Sequence, residues 1–492
     1  MSSILTNSSA MVALQTLKGV NNSLSQTQNE ISTGKSIATA KDNASVWAIS
    51  KVMESDVKGF KAISESLSLG ESTVAVARNG AETVTDLLTD IKGKIVAAQE
   101  ENVDREKIQT DISALRDQIN SIVGAAQFNG LNLLQGTADV NVLSSLDRLS
   151  NGTVTASNIE VARNDLTTSA GTIGTGTSLS ANAVASAAAV VNTANFETLT
   201  IATDADVSAD AFSVTVGGST ISFDAGDITG DQDAAALAIN NAINGLGLTG
   251  VSASVSTNVI TISSTRAFED VALTASKNGA GTGVTLSAAE IGERAESVTF
   301  SASANVNEGD GYQVTVGASS YSYVAGPGET MEDVTRGLKA AVDAGGVTGI
   351  STQVAQESGQ WQLKVDNDGT TLAFSVTGAA GGTASGGLFG LGGIDVTTNA
   401  GADAALGNIE TLIDTAIDAS ASFGSDQGRI QTQNDFVSKL MDSLKVGIGS
   451  LVDADMEEAS ARLQALQVQQ QLGIQSLSIA NQAPQSVLSL FR

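Results

Sequence analysis

Residues 46–98 read VWAISKVMESDVKGFKAISESLSLGESTVAVARNGAETVTDLLTDIKGKIVAA, and this stretch decides the fold. Counted in alternating steps of three and four, it puts Val46, Ile49, Met53, Asp56, Phe60, Ile63, Leu67, Gly70, Val74, Ala77, Ala81, Val84, Leu88, Ile91, Ile95 and Ala98 on one line. Only Asp56 and Gly70 interrupt the apolar run. Side chains three and four apart share a helix face, so the stretch predicts one continuous α-helix, roughly 80 Å long at about 1.5 Å per residue. A 3.5-residue repeat sustained this far is a coiled-coil seam. The plainer reading, a helix of an ordinary bundle, has no use for the length.

Working outward, a shorter helical pattern follows at Ile108, Ile112, Leu115, Ile119 and Ile122 and stops near Gly124. The charges Asp104, Arg105, Glu106, Lys107, Arg116 and Asp117 fall off its seam. A partner seam comes nearly three hundred residues later: Ile409, Ile413, Ala416, Ser420, Phe423, Gln427, Ile430, Asn434, Val437, Met441, Leu444, Ile448 and Leu451. Polar residues at such seam positions specify register at some cost in stability. The two tips differ again. Residues 2–17 and 463–491 carry no charge, yet both keep helical spacing, through Ala10, Leu14, Leu17, Leu24 and Ile31 and through Met456, Ala459, Leu463, Leu466, Leu477 and Ala480. A lone helix shows water a charged face; one filled in with Gln, Asn and Ser suits a setting where other helices surround it. A membrane-surface helix would carry Lys and Arg there.

Composition closes off much chemistry. The chain has 492 residues, too many for one compact core. It contains neither cysteine nor histidine, which excludes disulfides, thiolate nucleophiles, Cys or His metal sites and imidazole catalysis. A formal charge of −28 argues against nucleic acid. No run of about 18 apolar residues is present to span a membrane, and the N-terminus lacks the basic start and apolar core of a cleaved secretory signal.

The tips and seams also carry motifs. ISTGK at 31–35, AKDNASVWAIS at 40–50, QFNGLNLL at 127–134 and ANQAPQSVLSLFR at 480–492 closely resemble bacterial flagellin, and ILTNSSAMVALQTLK with TQNEISTG resembles its alphaproteobacterial branch. The resemblance covers roughly residues 1–165 and 400–492. It implies a filament subunit, found outside the cell, that polymerises with itself after export through the flagellar type III apparatus. It further implies a cap, hook–filament junction proteins and an export chaperone as partners. Leu14, Leu17, Leu24, Ile31, Leu463, Leu466 and Leu477 would then pack the inner helices. Phe60, Leu67, Leu88, Ile91, Phe423, Val437 and Leu444 would pack the rod. Flagellins sensed by the vertebrate innate receptor carry an Arg and a Leu in a stretch matching 88–99; here LTDIKGKIVAAQ aligns Asp90 and Lys94 with them, which implies weak activation. A junction protein shares the terminal architecture and is the nearest alternative; a secreted adhesin on the same scaffold is another.

Between about 166 and 400 the heptads vanish and small residues dominate. Asn151-Gly152 predicts a hairpin turn, and 166–195 reads as a loose connection. Then FSVTVGGSTISFDAG at 212–226 matches YQVTVGASSYSYVAG at 312–326. Phe212/Tyr312, Val214/Val314, Val216/Val316, Ile221/Tyr321 and Phe223/Tyr323 alternate as in two strands joined by a turn. A helical pattern follows each (Ala236, Ile239, Ile243; Val334, Leu338, Val342), then further alternation at Ile260 and Ile262 against Trp361, Leu363 and Val365. Each copy reads strand–strand–helix–strand–strand and resembles the insertion motif of outer regions in flagellins and hook-associated proteins.

The expected fold is multidomain: all-α coiled-coil terminal domains built from both ends of the chain, with an inserted β-rich α+β outer region. Its parts are an inner helical domain (1–38 with 452–492), a rod with a β-hairpin (39–165 with 400–451), a connection (166–195) and two outer modules (196–296 and 297–399). No catalytic, cofactor or metal site is expected. Gly34-Lys35-Ser36 imitates the end of a phosphate loop, but Asn29 stands where its leading glycine belongs. Asp366-Asn367-Asp368-Gly369 is a fragment of a calcium loop without the later Glu, better read as a turn. The glycine cluster at 381–393 reads as flexible linker.

Overall fold

The computed structural model describes residues 7–148, 153–278 and 283–490; the expected Asn151-Gly152 turn lies outside them. Its α-helices are α1 (Ser8–Thr33), α2 (Ala44–Ala98), α3 (Arg105–Ala125), α4 (Gln232–Gly245), α5 (Met331–Ala344), α6 (Asn399–Val452) and α7 (Met456–Leu490). The ends of the chain are thus helical and the middle is β-rich. The chain clusters into two compact units, one of Met1–Ser72, Asn141–Val161 and Asp426–Arg492, the other of Thr73–Val140 and Ala162–Ser425. The long helices α2 and α6 contribute to both.

In the first unit α1 begins at Asn7, whose side chain accepts from the Ala10 amide, a helix cap. It stops at Gly34, which takes φ 68°, a left-handed conformation that suits glycine. The residues that imitated a phosphate loop are therefore a helix stop and crossing. The Ser36 amide donates to the Val452 carbonyl (2.8 Å) and the Ala454 amide to that of Gly34 (3.0 Å). Asn434 of α6 fits between two serines of α2: its Oδ1 accepts from Ser64 Oγ (2.7 Å) and its Nδ2 donates to Ser68 Oγ (3.2 Å). The two-stranded sheet of Val140–Arg148 and Val154–Val161 bears on α2 where that helix has glycines. A Cβ on Gly70 would come within 2.7 Å of Val142, and one on Gly59 within 3.3 Å of Leu146. Gly70 breaks the apolar seam because a strand occupies the space.

In the second unit the rest of α2 packs on α3 and α6, with Lys92 bound to Glu410 (2.5 Å) and Lys94 to Asp111 (2.6 Å). Gln109 of α3 holds the approach to α6, donating to the Ile394 carbonyl and accepting from the Val396 amide, both at 2.9 Å.

The repeat in the middle proves larger than its sequence match. Module 1 pairs two four-stranded antiparallel sheets around α4. One is ordered Val251–Ser256, Val259–Ser264, Asn195–Ile201, Val284–Leu286; the other Glu290–Ile291, Val271–Lys277, Phe212–Val216, Ser219–Phe223. Module 2 repeats the plan around α5. Its sheets are Ile350–Glu357, Gln360–Asn367, Glu296–Phe300, Ala183–Ala185, and Ser319–Val324, Gly311–Val316, Leu372–Ala379, Ala189–Val190. Phe212, Val214, Val216, Ile239 and Ile260 fill one core, and Phe300, Tyr312, Val314, Leu338 and Leu363 the other.

The last strand pair of module 2 comes from residues 183–190, which precede module 1. Ala183 pairs with Phe300 as Val284 pairs with Ile201, and Val190 with Leu372 as Ile291 pairs with Val271. Ser186 and Ser287 do the same work: each donates through its hydroxyl to a glutamate (Glu296, Glu197) and accepts an amide (Ser297, Thr198). Module 2 is therefore a permuted copy with module 1 inserted into it, and 183–190 is not the loose connection expected. The match AVASAAAV against VTLSAAEI is too rich in small residues to stand out.

The glycine cluster is also not a linker. Residues 165–179 run alongside 378–388 with backbone pairs such as Thr172 to Thr383 (3.0 Å). Added Cβ atoms on Gly174 and Gly386 would lie 2.2 Å from carbonyl oxygens of the facing chain. Close backbone approach is the reason for glycine here. Asp366 and Asp368 both bind the Arg294 guanidinium, and among the described residues no cluster of three or more carboxylates could hold a metal ion.

Candidate self-association surfaces

The α1 and α7 helices pack antiparallel along one seam each. On α1 the covered line is Ala10, Ala13, Leu17, Val20, Leu24, Thr27 and Ile31; on α7 it is Ala459, Leu463, Leu466, Gln470, Gly473, Leu477 and Ala480. Asn7 Nδ2 donates to the Ala480 carbonyl (2.8 Å) and Gln470 Nε2 to Asn21 Oδ1 (2.8 Å). A Cβ on Gly473 would stand 3.2 Å from Leu17. Among the described residues of the two helices only Thr27 and Ala459 are fully buried; Leu17, Leu24, Ile31, Leu463, Leu466 and Leu477 are half-buried.

Leu14 departs from its expected place. It is 58 % exposed, beside Met11 and Val12, because a step of four from Ala10 leaves the covered line that runs through Ala13. On α7 a second apolar row of Val468, Leu472 and Ile479 is exposed, Ile479 by 68 %, with Ile474 exposed nearby. A helix with apolar residues beyond its covered stripe has further surface to bury. Sequence inspection missed this second row; its signal was the presence of leucine, isoleucine and valine off the heptad line.

On the long helices Leu67, Leu88, Ile91, Phe423 and Val437 are fully buried, whereas Phe60 and Leu444 are half-buried. From Ile63 to Ala98 the apolar members of the α2 seam are buried, but Ile49 and Val52 are exposed. Phe436 and Val446 of α6 are exposed as well. Asp90 is exposed, and half-buried Lys94 is held by Asp111. Among the described residues no helix is long and apolar enough to cross a membrane.

The bacterial flagellin N-terminal helical region matches residues 4–139, and the bacterial flagellin C-terminal helical region matches residues 406–491. Flagellin A of Rhizobium meliloti is 34 % identical over 497 residues, covering all of both chains. The chain belongs to the bacterial flagellins. Flagellin D of Rhizobium meliloti (strain 1021) is 32 % identical, again over the full length of both chains, so the alphaproteobacterial likeness extends through the outer modules. Among solved structures, a hook-associated protein-3 from Legionella pneumophila aligns at TM-score 0.32 and 9 % identity, over 82 % of this chain and 98 % of its own. The FlgL of Xanthomonas campestris aligns at 0.28 and 13 %, over 81 % and 98 %. Likenesses this weak do not bear on the assignment. As a flagellin, the chain is a structural subunit that polymerises into the extracellular filament of the bacterial flagellum and serves motility.

Proposed function

We propose that filament assembly runs through the second apolar faces of α1 and α7, which neighbouring subunits cover. The supporting observation is that these helices bury one row against each other and leave Met11, Val12, Leu14, Val468, Leu472, Ile474 and Ile479, all within the uncharged stretches 2–17 and 463–491, in water. At roughly 25 cal/mol per Å² of apolar surface, repeated in every subunit, such burial favours polymerisation. In this reading Leu17, Leu24, Ile31, Leu463, Leu466 and Leu477 hold the α1–α7 pair, and Leu14 contacts a neighbour instead. Residues 1–38 and 452–492 form the inner layer. Phe60, Leu67, Leu88, Ile91, Phe423, Val437 and Leu444, within 39–165 and 400–451, hold the rod. Residues 196–296 and 297–399 face outward, with 183–190 as part of the second outer module.

The finer family properties belong to the same reading. The subunit has no catalytic role, leaves the cell without a cleaved signal, and works with an export chaperone, junction proteins and a cap. Asp90 and Lys94 make it a weak activator of the innate receptor; a reporter response to purified monomer as strong as that to an enterobacterial flagellin overturns that point. The test of assembly is electron microscopy of purified protein at rising concentration, with and without the terminal 40 residues at each end. Tubes from the full chain and none from the truncated chain are expected; tubes from the truncated chain refute the reading.

A further inference from the structure

Module 1 enters and leaves module 2 through two strands of chain that are tied together. Asn195 Nδ2 donates to the carbonyls of Gly292 (3.1 Å) and Glu293 (2.8 Å), so one side chain grips the exit from the entry. The Arg294 and Ala295 amides then donate to the Arg266 and Ala267 carbonyls, both at 2.9 Å. Directly beyond this knot lies the seam that closes module 2. Glu296–Phe300 pairs with Ala183–Ala185. Ser186 Oγ donates to the Glu296 carboxylate (2.5 Å) and accepts from the Ser297 amide (2.8 Å). Arg294 itself is buried on Asp366 through two hydrogen bonds, of 2.8 and 2.6 Å.

The two modules therefore face different closure problems. Every strand of module 1 lies within residues 195–291. Module 2 must bring 183–190 back to 296–379 across the whole of 191–295. While module 1 is unfolded, that is a flexible loop of about a hundred residues; once it is folded and knotted, the loop shrinks to about ten. Closure probability scales as the inverse three-halves power of loop length, so the folded insert favours closure about thirtyfold. We propose that module 1 is a closing clamp for module 2: the insert folds first, and its knotted ends deliver 183–190 to the strand Glu296–Phe300.

The reporter for the test is built in. Trp361 and all three tyrosines (Tyr312, Tyr321, Tyr323) lie in module 2, and module 1 has neither residue type. In a full chain carrying Trp47→Phe, Trp361 fluorescence follows module 2 alone during refolding and in equilibrium urea titration. Leu199→Asp with Ile262→Asp, both at fully buried positions, unfolds module 1, as hydrogen exchange over 195–291 verifies. The expected result is a loss of about thirtyfold in the refolding rate or folding equilibrium of module 2, as the loop-length ratio dictates. A second pair of chains replaces 192–292 by Gly/Ser linkers of about eight or about a hundred residues. The short linker is expected to restore module 2 and the long one to reproduce the loss. Unchanged module 2 behaviour in the double variant, equal behaviour of the two linkers, or failure of the short linker to restore module 2 overturns the clamp.

Discussion

At the scale of single residues, small or polar residues at apolar-looking positions carry most of the specificity. Gly70 sits on the α2 seam with Val142 where its side chain would be. In an open helix Gly→Ala is a gain of up to about 1 kcal/mol; here overpacking opposes it by about 1–3 kcal/mol. Gly70→Ala is therefore expected to lower the urea midpoint of the purified monomer, and Gly70→Ala with Val142→Ala to recover part of that loss. A second residue is tied to pH. Glu329 accepts from Tyr323 Oη (2.8 Å) and from the Gly326 amide (3.0 Å), yet burial outweighs both bonds and pushes its carboxyl above the usual carboxylate range. A carboxyl raised in the folded state binds its proton more tightly there than in the unfolded chain. Its contribution is thus most favourable below the ordinary carboxylate pKa and is lost as pH rises through the raised value. Module 2 of the wild type should gain stability relative to Glu329→Gln as pH falls from neutral, read by Trp361 fluorescence in urea. A difference between the two chains that does not change with pH would contradict the assignment.

At the scale of elements, periodicity made the helices legible and composition hid the sheets. The runs at 46–98 and 409–451 correspond to α2 and α6 because their seams are dense in leucine, isoleucine and valine. The pairs Phe212/Tyr312 and Val214/Val314 exposed the repeat, being large residues at alternating positions. Strands 183–185 and 189–190 escaped notice because they are short and rich in alanine, which is depleted in strands, and only pairing with Phe300 and Leu372 defines them. The exposed row on α7 was overlooked for a different reason: a heptad describes one interface, whereas this helix has surface for more. Register between α2 and α6 belongs to this scale too. Asn434 joins Ser64 and Ser68 by two hydrogen bonds. Asn434→Ala should cost about 1 kcal/mol in chemical denaturation, the net value of such bonds at a partly exposed site, and should broaden the spread of filament forms seen by electron microscopy.

At the scale of the whole molecule, the α1–α7 pair is weakly supported in a single chain. Two fully buried side chains among the described residues, Thr27 and Ala459, set against the conformational entropy of two long helices, leave that pair dependent on neighbours. Circular dichroism should accordingly show helix content rising as monomer polymerises. Leu14→Ser should leave the monomer's unfolding free energy in urea within about 0.5 kcal/mol, as exposed substitutions do, while raising the concentration needed for sedimentable polymer. Loss of monomer stability with unchanged polymerisation would place Leu14 inside the subunit instead.

The charge-free tips have one more consequence. From 463 to 491, and from 2 to 17, there is no group that can take up or release a proton and none that attracts a counter-ion. A joint made of such surfaces has no electrolyte chemistry of its own. Whatever response the polymer shows to acid or to ionic strength therefore originates in charged groups outside these two stretches.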